Sequence, residues 1–155
     1  MTTYREQAVI DAPVEEIWEL VGDPNRHPEW WPLVLEVDGL PKIEQDATYR
    51  QVSRVAGGKK IETTFQIQKL DEMREIKLVC TDYGTYADWL ITPAQDATFA
   101  DIEIGFRSDR ASLGVLRAPL AKRYLRAWAD ASLEGLRRAI EKHRAAVGSE
   151  GRANP

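Results

Sequence analysis

The chain has 155 residues, of which 43% are hydrophobic and 30% are charged, and its formal net charge is -4 at pH 7. This length predicts a single domain that can bury roughly 70% of the surface of its unfolded chain. The mild negative charge does not favour nucleic acid as a partner, and the absence of any run of about 18 apolar residues argues against a membrane span.

The cellular location and the domain limits follow from simple features of the sequence. The single cysteine, Cys80, has no partner for an internal disulfide, and the N-terminal residues lack the apolar stretch of a signal peptide. These features favour a reducing, cytoplasmic location. Residues 147–155 are small and polar, so we expect one domain over residues 1–146 and a flexible tail after it.

The first part of the chain predicts one strand and two short helices. Residues 3–11 alternate loosely between polar and apolar, and a helix with proline at its first position follows over 13–21. Asp23 and Pro24 repeat this signal of a capping residue followed by proline. They predict a second, shorter helix that is broken at Pro28.

The middle of the chain predicts an antiparallel meander. Turn-forming residues separate the apolar segments, and Gly57-Gly58 is a strong hairpin signal. Short turns between consecutive strands require antiparallel pairing. The predicted strands are 35–40, 47–55, 59–70, 75–81, 86–92 and 98–106.

Alternation along these strands predicts which side chains face the core. Thr63 and Phe65 fall on the inward face, as do Trp89, Ile91 and Ile102. The phase of the strand 47–55 stays open, because Tyr49, Gln51 and Ser53 share one face while Val52 favours the other.

A long helix over residues 119–144 closes the chain, with a length of roughly 39 Å. Steps of three and four residues define its expected core-facing stripe. This stripe contains Leu120, Tyr124, Ala127, Trp128, Ala131 and Gly135, and Leu133, Leu136 and Ile140 widen it.

The order of one strand, two short helices, six antiparallel strands and one long helix resembles the helix-grip fold. It is typical of the SRPBCC superfamily, which includes START lipid-transfer domains, pollen allergens and polyketide cyclase/dehydrase-like proteins. The resemblance covers about residues 3–145. The segments that carry it are IDAPVEEIWELVGDPNRHPEWWPLV, DATYRQVSR, FQIQKLDEMREIKLV, WLITPAQDATFADIEIGF and APLAKRYLRAWADASLEGLRRAIE.

The resemblance implies an α+β helix-grip fold. A curved antiparallel sheet of about seven strands would wrap around the long C-terminal helix, with two short helices after the first strand. It also implies a cavity between sheet and helix that binds a small hydrophobic molecule, such as a lipid, an isoprenoid or a polyketide. The residues expected to contact this ligand are Trp31, Tyr49, Gln51, Ser53, Thr63, Phe65, Trp89, Ile91, Ile102, Leu116, Leu120, Tyr124 and Trp128.

Sequence signatures of catalysis are sparse. Two histidines and one cysteine give no zinc-binding pattern, and the glycine pair does not form a phosphate-binding motif, so no metal or cofactor is expected. Cys80 is interpreted as a small buried hydrophobe, and His27 as a structural or solvated residue rather than a general base. The alternative is an aromatase/cyclase-type enzyme of polyketide chemistry that uses the cavity hydroxyl groups of Tyr49, Ser53, Thr63 and Tyr124.

One segment is strongly basic. Residues 107–126 contain a single acid, Asp109, beside Arg107, Arg110, Arg117, Lys122, Arg123 and Arg126. This cluster predicts either an ordinary solvated surface or a patch that attracts an anionic ligand head or an anionic membrane. The membrane hypothesis assigns a transient contact to Arg117, Arg123 and Arg126. The sequence leaves open whether the protein is a monomer or a homodimer.

Overall fold

A computed structural model describes residues 2–107 and 118–153 of the chain. These residues form a seven-stranded antiparallel sheet, two short helices after the first strand and a long C-terminal helix. The elements are β1 (Thr2–Ile10), α1 (Val14–Val21), α2 (His27–Trp30), β2 (Val34–Asp38), β3 (Thr48–Arg54), β4 (Lys60–Asp71), β5 (Glu75–Cys80), β6 (Thr85–Ala94), β7 (Ala97–Phe106) and α3 (Ala118–Ala153).

The sheet has the strand order β1-β7-β6-β5-β4-β3-β2, so the first strand pairs with the last. All other neighbours are joined by hairpins or short connections, which explains why every pair is antiparallel. Helix α3 packs against β1 and β7 and also contacts the two short helices. This curved sheet around a long helix confirms the predicted α+β helix-grip fold.

Alternation of side chains along β4 shows how the sequence selects the inner face. Thr63, Phe65 and Ile67 are buried, while the alternate residues Glu62 and Thr64 are exposed. The same rule settles the open phase of β3. Tyr49 and Gln51 are 2% and 4% exposed, so their face, and not that of Val52, is the inner one.

The second short helix differs from the prediction. A 3₁₀ turn over Pro24–Arg26 passes directly into α2, and Pro28 lies inside that helix rather than breaking it. Proline is tolerated there because the backbone N–H groups of the first turn have no partner within the helix. The helix ends instead at Trp31, which has extended backbone geometry.

In the first half of α3, the core-facing stripe lies one residue further along the chain than predicted. Its buried positions are Ala121, Leu125, Ala129, Ser132, Leu133, Leu136 and Ile140, and the prediction is confirmed for the last three. Leu120 is 52% exposed, and the prediction that it faces the sheet is therefore wrong. The predicted stripe, counted from Leu120, placed the aromatic residues Tyr124 and Trp128 in the core. In the structure they lie at the edge of the buried stripe, where they are half-buried.

Helix α3 extends to Ala153, well beyond the predicted end at residue 144. It therefore includes most of the segment 147–155, and the predicted division of the chain at residue 146 stays a prediction. Leu116, Arg110 and Arg117 lie outside the described residues. Within the described ranges, no helix combines the length and the apolar character needed to cross a membrane.

Candidate functional site

A cavity of about 490 Å³ lies between the inner face of the sheet and helix α3. It is bounded by the hairpin that joins β3 to β4, the turn that joins β5 to β6, the end of β7 and the first half of α3. The residues that line it are Ser53, Arg54, Val55, Lys59, Ile61, Thr63, Phe65, Cys80, Tyr83, Thr85, Phe106, Tyr124 and Trp128.

Five of the residues predicted from the sequence line this cavity together. Ser53 belongs to β3, Thr63 and Phe65 to β4, and Tyr124 and Trp128 to α3. Antiparallel pairing places β3 and β4 side by side, and Ser53 is directly opposite Ile61, another lining residue. The helix supplies the opposite wall, because Tyr124 and Trp128 are one turn apart and present their rings on the same side.

The tryptophans of the segment 27–34 do not line the cavity. Trp30 and Trp31 stack at a centroid distance of 5.3 Å, and each meets Trp89 edge-to-face at 5.5 and 5.6 Å. His27 completes this aromatic cluster, 5.1 Å from Trp31. The cluster fills the space between sheet and helix near the middle of β6, four residues beyond Thr85.

Each indole of the tryptophan pair has a buried hydrogen-bond acceptor. Trp30 Nε1 donates to the carbonyl oxygen of Leu20 at 3.1 Å, and Trp31 Nε1 donates to Ser132 Oγ at 2.6 Å. Buried indoles usually need such a partner. The pair therefore joins α1, α2 and α3 and closes the core beside the cavity.

The remaining predicted residues surround the cavity or lie apart from it. Tyr49 is buried behind Phe65, with ring centroids 6.0 Å apart, and Gln51 donates a hydrogen bond of 2.8 Å to Ser53 Oγ. Ile91 and Ile102 belong to the packed core. Leu120 is exposed, and Leu116 lies outside the described residues.

Two polar groups in the cavity wall have no hydrogen-bond partner among residues 2–107 and 118–153. They are Thr63 Oγ1 and Trp128 Nε1, and both atoms are buried. The same holds within these ranges for the hydroxyl of Tyr49, close behind the wall. Buried polar groups are normally paired, so these groups suit a bound molecule that carries an oxygen atom.

Sequence reasoning missed the residues that form the open end of the cavity. Arg54, Val55 and Lys59 flank the glycine pair, and Tyr83 and Thr85 flank Gly84. Both glycine segments have positive φ, at Gly57, Gly58 and Gly84, which identifies them as tight turns. The glycines in the sequence therefore predict both turns. They do not predict that the two turns lie side by side at the same end of a cavity.

The cavity wall offers little for acid–base chemistry. Among the lining residues that the structure describes, none is acidic and none is a histidine. Cys80 is buried, as predicted, and burial raises the pKa of the Tyr49 hydroxyl above its usual range. His27 lies in the aromatic cluster, where burial lowers its pKa to about 4. The described residues contain no group of three or more metal-binding side chains.

Comparison with known proteins gives one family and many similar folds. The family described as polyketide cyclase / dehydrase and lipid transport matches residues 1–141. A START superfamily protein from Mycobacterium smegmatis is 15% identical, with a TM-score of 0.74 over 90% of this chain and 97% of that one. TTHA0849 from Thermus thermophilus is 18% identical, with a TM-score of 0.75 over 92% of this chain and 99% of that one.

A further solved structure is that of the di-domain ARO/CYC BexL from the BE-7585A biosynthetic pathway. It is 18% identical, with a TM-score of 0.69 over 91% of this chain and 47% of that one. Identities this low show a shared fold and leave the activity of this chain undecided. No similar sequence is found among the curated proteins.

The family match, the solved folds and the geometry agree with the resemblance seen in the sequence. The match extends over the whole sheet and most of α3. The chain belongs to the polyketide cyclase / dehydrase and lipid transport family.

Proposed function

We propose that this protein binds a small, largely apolar molecule in the cavity between the sheet and α3. The observation that carries this proposal is the cavity itself, about 490 Å³ in volume and lined mainly by aliphatic and aromatic side chains. Ligand sites of folded proteins typically occupy 300–1,000 Å³ and combine an apolar wall with a few polar groups. Lipids, isoprenoids and polyketides all have this mixed character.

The polar atoms of the wall narrow the class of ligand. Trp128 Nε1 can only donate a hydrogen bond, whereas Thr63 Oγ1 can donate or accept. A hydroxyl or carbonyl oxygen on the ligand would pair with both groups. A pure hydrocarbon would leave them without partners, at a cost of about 1–3 kcal/mol for each buried group.

The proposal is tested with N-phenyl-1-naphthylamine, an uncharged dye whose fluorescence rises in apolar surroundings. We expect saturable binding to the wild-type protein. Thr63→Trp places an indole in the cavity and should abolish this binding. Thr64→Trp is the matched control, because Thr64 is the next residue of β4 and faces solvent on the outer side of the sheet.

A second pair of variants tests the hydrogen bond. Thr63→Val keeps the shape and removes the hydroxyl, and it should weaken displacement of the dye by dodecanol about three- to tenfold. Thr64→Val should leave displacement unchanged. Absence of dye binding to the wild-type protein, or equal binding by both tryptophan variants, would contradict the proposed function.

An aromatase/cyclase-type activity is the second candidate, and the hydroxyl of Thr63 in the cavity wall is the observation that favours it. The raised pKa of Tyr49 argues against a role for that phenol as a base near neutral pH. The described lining residues supply neither a carboxylate nor a histidine, and their mainly apolar character favours binding over catalysis. If the protein turned over a polyketide-like substrate and Thr63→Val abolished this turnover, catalysis would become the favoured function.

The predictions about surroundings and assembly rest on the sequence alone. A cytoplasmic location, a transient membrane contact of the basic segment and the choice between monomer and homodimer stay predictions. In the described part of that segment, Arg107 hydrogen-bonds to Gln68 and lies 5.2 Å from the ring centre of Tyr86, and Arg126 pairs with Asp130 at 3.9 Å. Of these contacts, only the pair with Asp130 offsets a positive charge, that of Arg126.

A further inference from the structure

Two positively charged side chains lie at the open end of the cavity. Arg54 is the last residue of β3, and Lys59 immediately precedes β4. Both line the cavity, and both are exposed to solvent. Together with Tyr83, which is 56% exposed, they form what we call the cavity mouth.

Within residues 2–107 and 118–153, no acid forms an ion pair with either cation of the cavity mouth, Arg54 or Lys59. Arg50, on the same strand, shows the usual arrangement, since it pairs with Asp38 at 3.4 Å and with Glu62 at 3.0 Å. Arg54 and Lys59 therefore differ from Arg50 in that no acid of the described residues offsets their charge.

The described part of the cavity wall adds no negative charge either. Its other lining residues within 2–107 and 118–153 are apolar or uncharged, so Arg54 and Lys59 supply the net charge that these residues place at the mouth. An anion placed between them would gain charge-assisted hydrogen bonds, which are stronger than bonds between neutral groups. A cationic ligand would be repelled.

The geometry of β4 shows how the rest of such a ligand would lie. Ile61, Thr63 and Phe65 are successive inward positions, about 7 Å apart along the strand. A molecule with its charged end at Lys59 would first meet Ile61, then the hydroxyl of Thr63 and then the ring of Phe65. The positive mouth and the apolar interior thus face opposite ends of one elongated ligand.

We infer that the cavity takes an amphipathic molecule with an anionic head group, such as a carboxylate, which Arg54 and Lys59 hold at the mouth while the apolar body lies along β4. This inference rests on the proposed function and deepens it by naming the ligand class.

Matched amphiphiles of one chain length test the inference. Dodecanoate, dodecanol and dodecyltrimethylammonium, all below their micelle concentrations, are compared as competitors of N-phenyl-1-naphthylamine, and dodecanoate binding is also measured directly by calorimetry. We expect dodecanoate to bind about tenfold more tightly than dodecanol, equivalent to about 1.4 kcal/mol. The cation should bind more weakly than both, and added salt should reduce the preference because the mouth is exposed.

Charge-removing variants assign the preference to the two residues. The double variant Arg54→Gln/Lys59→Gln should bring dodecanoate to the affinity of dodecanol. The control Arg74→Gln/Lys142→Gln removes one arginine and one lysine from exposed positions that do not line the cavity, and it should keep the preference.

The outcomes separate the two proposals. Equal affinities of the wild-type protein for dodecanoate and dodecanol, or a preference that survives the Arg54/Lys59 double variant, would overturn the inference while dye binding upholds the proposed function. Failure of both the dye and dodecanoate to bind would overturn both.

Discussion

Trp31 and Ser132, 101 residues apart in the chain, are joined by a buried hydrogen bond of 2.6 Å from the indole nitrogen to the hydroxyl oxygen. The Ser132 hydroxyl in turn donates to the carbonyl oxygen of Trp128, one turn earlier in α3, at 2.7 Å. Trp128 lines the cavity, so this relay connects the aromatic cluster to the helix that forms the cavity wall.

Ser132→Ala removes this relay and leaves the Trp31 indole N–H buried without an acceptor. We expect the free energy of unfolding to fall by about 1–3 kcal/mol, the cost of an unsatisfied buried group. Urea unfolding of Ser132→Ala, Trp31→Phe and the double variant gives a double-mutant cycle. A coupling energy near zero would show that the hydrogen bond does not contribute to stability.

The sequence predicts the sheet well and the cavity only in part. Alternation correctly placed Thr63, Phe65 and Trp89 on the inner face, because the side-chain period of a strand is fixed. It could not show that Trp89 is covered by Trp30 and Trp31 while Thr63 faces open space. That difference depends on where the segment after α1 packs along the strands, and such long-range packing leaves no local pattern.

The error at α3 has a similar cause. Buried and edge positions of a helix are only about 100° apart, and an apolar stripe counted from Leu120 differs by one residue from the stripe that includes Leu125. The stripe counted from Leu120 was favoured because it contains the aromatic rings of Tyr124 and Trp128. They lie at the edge of the buried stripe because they line the cavity rather than the packed core.

Gly135 allows α3 to approach the tryptophan segment closely. A Cβ at this position would lie 2.3 Å from the carbonyl oxygen of Trp30 and 2.8 Å from Pro32 Cδ. Gly135→Ala should therefore lower the free energy of unfolding by about 1–3 kcal/mol despite the better helix propensity of alanine. Thermal or urea unfolding measures the change.

Gly148→Ala is the matched control on the same helix, because a Cβ there meets nothing within 4 Å. It should be neutral or stabilise the protein by up to about 1 kcal/mol. Equal effects of the two substitutions would show that the close contact at Gly135 relaxes without cost.

His27 should make the protein less stable in mild acid. Its Nε2 atom lies 2.9 Å from the Val21 carbonyl oxygen, so this nitrogen carries the proton of the neutral ring. Burial lowers the pKa of His27 to about 4 from the usual histidine value of 6.5. As the pH falls from about 6.5 to about 4, His27 is protonated in the unfolded chain but not in the folded protein. The free energy of unfolding therefore decreases by about 3 kcal/mol over that range.

Urea unfolding between about pH 7.5 and pH 4.5 checks this assignment. His27→Gln should flatten the profile, whatever its effect on stability at neutral pH. His143→Gln is the control, because His143 is exposed near the end of α3. A profile that changes equally in both variants, or in neither, would contradict the assignment to His27.

Asp88 should have the opposite pH dependence. This carboxylate lies on the outer face of the sheet with its side chain only 18% exposed, and its Oδ1 atom is buried without a partner. Desolvation raises its pKa to about 6, and the attraction of Lys77, 3.8 Å away, only partly offsets this. The folded state therefore binds the proton more tightly, and the contribution of Asp88 to stability is lost as the pH rises from about 4 to about 6.

Asp88→Asn removes the cost of the partly buried charge. At about pH 8 we expect it to raise the free energy of unfolding by about 1 kcal/mol, a value reduced for the solvent that reaches the carboxylate. At about pH 3.5 the gain should nearly vanish, because the carboxyl is then largely protonated in both the folded and the unfolded state. Asp96→Asn, in an exposed turn, removes the same charge and should show no such trend. A gain from Asp88→Asn that is independent of pH would mean that packing, rather than the ionised carboxylate, limits stability at this position.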